Sequence, residues 1–213
     1  MKFILDTTIG YRNIKKQFSR SIIRNLKISE KHVQTEQCGS LKNVPKIYNI
    51  YLEQMKLFGS PPLPLEYFVS HYKSKNSKIF LATHKGMGII AFLLLFIYNN
   101  KIYADINASL PKYDIYFPKV KLYDESIQHA CNTGIQTYDF MRTRPNSGVY
   151  SHKNKWGGKE IPIYYYYRTY KNKKFPLLDS NQKRFILPKL IFKRLPLEIL
   201  KIIGPGIRKY AGK

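Results

Sequence analysis

A run of apolar residues from Ile89 to Ile97 constrains the fold most. It is far shorter than the ~20 residues that a membrane-spanning helix needs, so we interpret it as a buried strand. His84-Lys85-Gly86 precedes the run and Asn99-Asn100 follows it, and both are turn signals. The pattern therefore predicts an antiparallel meander whose strands are Lys78–Thr83, Met87–Tyr98 and Ile102–Ala108.

Four-residue apolar spacing predicts helices on both sides of this meander. The predicted helices are Tyr11–Lys31, Val44–Phe58, Leu65–Lys73, Val120–Asn132 and a short one near Gly148–Trp156. Short strands are predicted at His32–Gln37, Ile135–Arg142 and Ile161–Thr169. This order indicates an α+β fold with a central mixed, mostly antiparallel sheet flanked by helices. The fourth helix permits one parallel strand pair, which can splay and leave a ligand slot at its carboxyl end.

The formal net charge of +24 predicts an anionic partner. A phosphorylated ligand, RNA, tRNA included, and an anionic membrane surface all fit. An AT-rich genome, which enriches Lys, Ile, Asn and Tyr, is the alternative explanation. Cys38 and Cys131 lie far apart without metal-ligand spacing, so no metal site is predicted and a reduced, cytoplasmic setting is expected.

The sequence changes character from Lys171 onward, where short apolar stretches alternate with Lys and Arg and are interrupted by prolines. Two short amphipathic helices are expected, and residues 183–213 are typical of an interfacial anchor on an anionic membrane. An extension packed onto the domain is equally consistent. We divide the chain into a basic lead-in helix and first strand (1–40), a main domain (41–170) and a basic amphipathic tail (171–213).

The richest polar chemistry lies in the stretch YDFMRTRPNSGVYSHKNKWGG, from Tyr138 to Gly158. Asp139 lies on a strand among apolar neighbours, where a carboxylate must be paired or hydrogen-bonded. It could orient a substrate amine or fix the next loop. Arg142 and Arg144 flank the strand exit, where guanidinium groups suit phosphate or carboxylate contacts, although solvated charge is the alternative.

The second half of this stretch predicts a capped helix. Asn146 and Ser147 can cap it, and its first amides would favour an anion. Val149, Lys153 and Trp156 share one face by helical spacing. Lys153, held beside Trp156, could carry a proton or stabilise an oxyanion, or could make only a cation–π contact.

Other motifs narrow the function less. The tyrosine run at 164–167 suits stacking on single-stranded RNA or a half-buried strand. The sequence has no P-loop, GxGxxG, zinc spacing or GxSxG elbow, and its histidines are scattered singly.

The stretch Tyr138–Gly158 resembles the late signature of the FemAB-like branch of the GNAT acyltransferase superfamily. In that signature an aspartate-aromatic strand precedes a Gly/Ser-Gly, an aromatic residue, a lysine and an aromatic-glycine pair. FSRSIIRNLKISEKH, LEQMKLFGSPPLPLEYF and RLPLEILKIIGPGIRKYAG resemble other parts of such proteins. The resemblance extends from about Tyr11 to Gly212 and is most specific around the signature.

The resemblance implies a GNAT-like fold that transfers an acyl or aminoacyl group to an amine. The implied donor is an acyl thioester such as acyl-CoA, or aminoacyl-tRNA, and acceptors include peptidoglycan precursors and amino sugars. By position, Lys153 and Asp139 would be catalytic. Arg142 matches the basic residue that the family often has at the strand exit. We predict as substrate-binding residues Arg142, Arg144, Ser147, Tyr150, Trp156, Tyr113 and Ser109, among which Tyr113, Tyr150 and Trp156 would line the slot.

Two departures from the family pattern matter. FemAB proteins carry tandem GNAT-like halves and this chain matches the second, so we expect a fragment, a minimal relative, or a chain that pairs with a partner half or with its own copies. The segment NASLPKYDIYFPK, around Ser109–Pro118, lacks the glycines of a pyrophosphate loop. From the resemblance as a whole, we predict an acyltransferase that acts on a cell-envelope precursor, in the cytoplasm or peripherally on the inner membrane face. A non-catalytic module that binds RNA or anionic membrane is the alternative.

Overall fold

A central sheet organises the chain, of which a computed structural model describes residues 1–166, 168 and 186–211. The strands are β1 (Lys2–Asp6), β2 (Val33–Gln37), β3 (Ser77–His84), β4 (Gly88–Tyr98), β5 (Lys101–Ser109), β6 (Thr137–Arg142) and β7 (Lys159–Ile161). They form one seven-stranded sheet in the order β2-β3-β4-β5-β6-β1-β7. Neighbouring strands are antiparallel except β5 and β6, which are parallel. The predicted α+β class and its single parallel pair are confirmed.

Helices cover both faces of the sheet. They are α1 (Tyr11–Gln17), α2 (Arg20–His32), α3 (Val44–Phe58), α4 (Leu65–Lys73), α5 (Pro118–Asn132), α6 (Gly148–Asn154), α7 (Ile186–Arg194) and α8 (Leu197–Ala211). Helices α1, α2 and α5 bury their apolar sides in one core, and α3 and α4 bury theirs in a second core on the opposite face.

The apolar run of β4 is explained by this layering. Leu93 and Leu95 belong to the first core, whereas Phe92 and Leu94 belong to the second, as alternation along a strand requires. All four are fully buried. Burial of each such side chain contributes about 1.5–3 kcal/mol to the stability of the fold, so β4 stabilises both cores.

Several predicted elements have their predicted bounds, and α3 shows why. It ends at Phe58 because Gly59 adopts a left-handed conformation with φ 64°. A Cβ at Gly59 would also lie 2.4 Å from the carbonyl oxygen of Lys189, so glycine is needed there for space as well as for conformation.

The predicted helix Tyr11–Lys31 is two helices in the structure. The chain is extended at Phe18, and Ser19 caps α2 by accepting a hydrogen bond from the Ile22 N–H (3.4 Å). The Ser19 N–H donates to the Lys155 carbonyl at 2.8 Å, which holds the break. Periodicity did not reveal it because Ile14, Phe18, Ile22 and Leu26 are buried on both sides of the break.

Two further differences concern strands. The sequence analysis missed β1, which lies between β6 and β7 and buries Phe3 and Leu5, so residues 1–40 share the sheet and core of the main domain. The strand predicted over 161–169 ends at Ile161, before Pro162. Tyr166 is 94% exposed, so a half-buried strand is wrong up to that residue, and Tyr167 and Thr169 lie outside the described residues.

The tail contains the two expected helices, α7 and α8, which pack against α3. Phe192 and Leu200 are their buried contacts with the domain. Within the part of the chain that the structure describes, no helix has the length and apolar character needed to cross a membrane.

Candidate functional site

The parallel strands β5 and β6 separate soon after they begin. They pair only from Lys101↔Thr137 to Tyr103↔Asp139. Beyond this point, β5 and β6 line opposite sides of a cavity of about 540 Å³. The predicted slot at the carboxyl end of a splayed parallel pair is therefore present.

A β-bulge points an acid into this gap. In the ladder between β4 and β5, Leu94 faces Ile106 and Leu95 faces Ala104, so Asp105 is the extra residue. Its carboxylate lines the cavity and accepts a hydrogen bond from the Tyr67 hydroxyl of α4. The bulge re-aims this side chain and also interrupts regular pairing at the point where β6 leaves β5.

Asp139 and Lys153 together fix the backbone conformation at the end of β6. Met141 adopts the left-handed conformation (φ 62°), which is uncommon for a residue with a side chain. Its N–H donates to Asp139 Oδ1 at 2.8 Å, and Lys153 Nζ donates to the carbonyls of Met141 (3.1 Å) and Arg142 (3.3 Å). These bonds stabilise the turn that widens the gap.

Asp139 does not line the cavity. It is 2% exposed, and its Oδ2 forms an ion pair with Lys2 of β1 at 2.8 Å. The expected direct contact with a substrate amine is not supported by this placement. Its contacts are those of a residue that positions Met141 and, through Met141, the lysine.

Lys153 lines the cavity and is nearly buried. Burial lowers the pKa of Lys153 from 10.5 to about 8, against the opposing effect of Asp139. An ammonium has three N–H donors. Two bind carbonyls, so one remains for a group in the cavity. Of the three residues predicted to share one helix face, Val149 and Lys153 line the cavity, whereas Trp156 is fully buried in the core.

Of the binding residues predicted at the end of β6 and at the start of α6, one lines the cavity and two do not. Arg142 lines the cavity, and its Nη1 donates to the Tyr165 hydroxyl at 2.7 Å. Ser147 caps α6, as expected: its Oγ accepts from the Tyr150 N–H and donates to the Arg144 carbonyl. Neither Ser147 nor Arg144 is among the residues that line the cavity.

The three aromatic residues expected to line the slot lie elsewhere. Trp156 is fully buried in the first core, edge-on to Phe18 at 4.9 Å. Tyr150 donates its hydroxyl proton to Glu160, and Tyr113 packs on His84 and Tyr116. Trp156 thus contributes to the core, and Tyr113 and Tyr150 are half-buried outside the cavity lining. The residue order alone could not reveal these positions.

Ser109 is buried beneath the cavity rather than exposed in it. Its N–H donates to Gln54 Oε1 at 3.1 Å, and its hydroxyl donates to Asp114. Gln54 and Asp114 both line the cavity. Ser109 thus orients two cavity residues that the sequence analysis missed.

Further missed residues come from β5 and α6. Asn107 lines the cavity and donates to the Tyr123 hydroxyl at 2.9 Å. His152 also lines it, and the pKa of His152 falls to about 4 because of burial and the nearby Lys119, Lys155 and Lys153. The sequence contained a signal for the two β5 residues, because Asp105 and Asn107 lie two positions apart in the predicted strand Ile102–Ala108, which is otherwise apolar. Residues with this spacing point to the same side of a strand.

A second cavity of about 490 Å³ adjoins the first. Its walls are mostly aromatic: Tyr67, His71, Phe96, Tyr98 and Tyr103. Asp105 and Met141 line both cavities, so the two spaces meet at the bulge and at the strained turn. A reaction between two substrates needs such a meeting point.

Comparison with known proteins identifies one family. A family model described as "Acetyltransferase (GNAT) domain" matches residues 16–154. A search of curated protein sequences found no match.

Solved structures share the fold at low sequence identity. FemX superposes with a TM-score of 0.65 and 12% identity over 74% of this chain. L-PGS from Bacillus licheniformis gives 0.52 and 15% over 74%. An aminoglycoside acetyltransferase, meta-AAC0020, from an uncultured soil metagenomic sample gives 0.52 and 12% over 66% of this chain and 99% of its own. This chain spans 58% of FemX and 56% of L-PGS. Identities this low establish the fold alone.

Proposed function

Because the chain belongs to the GNAT acetyltransferase family, we propose that it is an acyltransferase of the FemAB-like branch that modifies an amine of a cell-envelope precursor. The acyl or aminoacyl group would be transferred to a peptidoglycan or polysaccharide intermediate. The observation that carries this proposal is the meeting of two cavities at Asp105 and Met141, within a splayed strand pair.

Asp105 is placed to act as the general base. An acceptor amine enters as an ammonium, and a carboxylate both attracts it and takes its proton. The cavity is lined by Lys119, Arg142 and Lys153 as well as by Asp105 and Asp114, and Lys119 forms an ion pair with Asp114 at 3.4 Å. Asp105 is therefore the carboxylate that we assign to the ammonium. The Tyr67 hydroxyl orients the Asp105 carboxylate through its hydrogen bond.

We assign to Lys153 the stabilisation of the acyl group during transfer. The amine nitrogen forms a bond to the acyl carbon, and the bond from that carbon to the donor's sulfur or oxygen breaks. The remaining N–H of Lys153 can bind the acyl oxygen as it gains negative charge. With a pKa of about 8, Lys153 can also give a proton to the departing group near neutral pH.

The segment after β5 does not present the backbone amides that would bind a pyrophosphate. GNAT acyltransferases use acetyl-CoA or a related acyl-CoA. In this chain, the segment after β5 is a 3-10 helix, Pro111–Tyr116, followed by Phe117 with φ 52°. The Tyr113, Phe117 and Val120 N–H groups bond to carbonyls of the same segment, so they do not form an open amide cradle. Acyl-CoA and aminoacyl-tRNA are therefore both donors to test.

The second cavity favours a ring-shaped acceptor. Aromatic side chains offer flat apolar faces with polar edges, which suit the faces and hydroxyl groups of a sugar. Phe96 and Tyr98 stack with their planes 11° apart, next to Tyr103. An amino sugar lying on these rings could direct its amine toward Asp105.

Transfer assays with acetyl-CoA and with aminoacyl-tRNA, each against amino-sugar and peptidoglycan-precursor acceptors, test this proposal. Asp105→Asn should lower turnover by about 10²–10⁴-fold, the usual contribution of a general base. Asp6→Asn, at an exposed carboxylate outside the cavities, is the matched control and should not change it. Full activity of Asp105→Asn would refute the assigned base.

An anion-binding module is the second candidate, and one surface favours it. Arg20, Arg24, Lys27 and Lys31 are exposed along one side of α2. If binding alone were the function, affinity for RNA would fall steeply with salt and with each cation removed. Asp105→Asn would then have no effect on the measured function.

A further inference from the structure

Helices α7 and α8 are fixed on the domain by close contacts. Gly59 at the end of α3 lies against the Lys189 backbone, and a Cβ at Gly204 would lie 2.3 Å from the Pro62 ring. Arg208 Nη1 donates to the Pro61 carbonyl at 2.9 Å. Their outward side therefore has a defined orientation relative to the sheet.

That outward side is apolar. Leu187, Leu190 and Ile191 of α7 and Ile199, Ile202 and Ile203 of α8 are exposed, and we refer to them as the C-terminal apolar surface. Leu187 is 67% and Ile202 is 77% exposed. Single exposed apolar residues are common, but a group of large aliphatic residues on two adjacent helices marks an interaction surface.

Cations accompany these aliphatic residues. Lys193, Arg194, Lys201 and Lys209 are exposed on the same two helices, where Glu198 is the acid. Aliphatic residues combined with lysines are typical of helices that lie in the interface of an anionic bilayer. Protein interfaces, by contrast, are depleted of lysine. A second copy of the chain would bring like charges together.

We propose that the C-terminal apolar surface docks the protein on an anionic lipid bilayer. The aliphatic side chains enter the headgroup region while Lys201 and Lys209 contact lipid phosphates. Helix α3 links this surface to the candidate site, because Leu57 borders a groove with Lys193 and Leu197, and Phe58 lines the first cavity. A docked protein would thus hold its catalytic cavity close to the membrane.

Co-sedimentation with phosphatidylcholine vesicles that contain about one third phosphatidylglycerol tests the proposal. The full chain should bind them and should bind pure phosphatidylcholine vesicles at least about tenfold more weakly. Ile202→Glu with Ile203→Glu should abolish binding. Ile115→Glu, at a 65% exposed residue elsewhere on the surface, is the matched apolar control and should bind like the wild type.

A comparison of charge-reversal variants distinguishes docking through this surface from nonspecific electrostatic attraction to the vesicles. Lys201→Glu with Lys209→Glu should weaken binding by about tenfold or more. Lys85→Glu, in the turn between β3 and β4, should change it little. Circular dichroism melts establish that each variant is folded.

Three outcomes would overturn the proposal. The first is absence of vesicle binding by the folded wild type. The second is equal loss of binding with Lys85→Glu and with the double variant Lys201→Glu, Lys209→Glu, together with no effect of the double isoleucine variant. The third is a concentration-dependent dimer that the double variant Ile202→Glu, Ile203→Glu dissociates, without vesicle binding. None of these experiments depends on catalysis, so failure of the acyltransferase proposal and failure of docking are distinguishable.

Discussion

Replacement of Lys153 by methionine tests whether burial lowers the pKa of this amine toward neutral pH. Methionine keeps most of the side-chain volume and removes the ammonium with its hydrogen bonds to Met141 and Arg142. Because burial lowers the pKa of Lys153 from 10.5 to about 8, the unfolded chain binds more protons than the folded chain between these pH values. The contribution of Lys153 to stability therefore rises with pH across this window, by about 3 kcal/mol in total.

The same free energy, about 3 kcal/mol, can be used to predict the stability of Lys153→Met at neutral pH. There the wild type carries the full cost of the buried charge, about 3 kcal/mol. Lys153→Met removes this cost and loses two hydrogen bonds from a charged donor, each worth about 1.5–3 kcal/mol. The variant should therefore be as stable as the wild type or less stable, by up to about 3 kcal/mol.

Urea unfolding of both proteins at several pH values from just below 8 to 10.5 measures the effect. The free energy of unfolding of the wild type, minus that of Lys153→Met, should increase by about 3 kcal/mol over this range. Lys155→Met, at an exposed lysine of the same segment, is the matched control and should show a flat difference. A flat difference for Lys153→Met would refute the assigned pKa and the role of Lys153 as a proton donor near neutral pH.

Three other predictions concern the groups that support the site. Trp156→Ala should destabilise the fold by about 3–5 kcal/mol in urea unfolding, because the indole is fully buried, and a wild-type midpoint would contradict its place in the core. Lys2→Met should cost about 1–3 kcal/mol by leaving buried Asp139 without its ion pair, and adding Asp139→Asn should recover part of the loss; equal costs for both variants would argue against the pair. The His152 ring should titrate near pH 4 in an NMR titration, and its contribution to stability should be lost as pH falls from 6.5 to 4; a midpoint near 6.5 would show a solvated ring.

The sequence predicted the sheet well because its signals are local. The apolar run of β4, the flanking turns and the glycine after α3 each determine their element through contacts or conformations of a few neighbouring residues. The strand β1 was missed because five residues near the start carry too little periodicity, and their partners β6 and β7 lie far along the chain.

The site was predicted only in part because it depends on which side of each strand faces the gap. Lys153 and Arg142 line the cavity. Asp139 does not, because strand alternation turns it away from Phe140 and Arg142 and it is paired there with Lys2. Met141 lines the cavity although alternation puts it with Asp139, and its positive φ is a local conformation that the pattern does not reveal. Asp105 was missed because a bulge determines its direction, and a bulge is a property of the paired strands.

Hydrogen–deuterium exchange with and without donor tests the central claim most directly, namely that acyl transfer takes place where the two cavities meet, within the splayed pair of β5 and β6. Acetyl-CoA and aminoacyl-tRNA would each be added to the full chain, and turnover would identify the productive donor. We predict that this donor slows amide exchange in the segments 104–107 and 140–142, which lie beyond the last parallel pair and in which every residue except Ile106 lines the cavity. Protection confined to α2 or to the C-terminal helices, with unchanged exchange in these strands, would contradict the account.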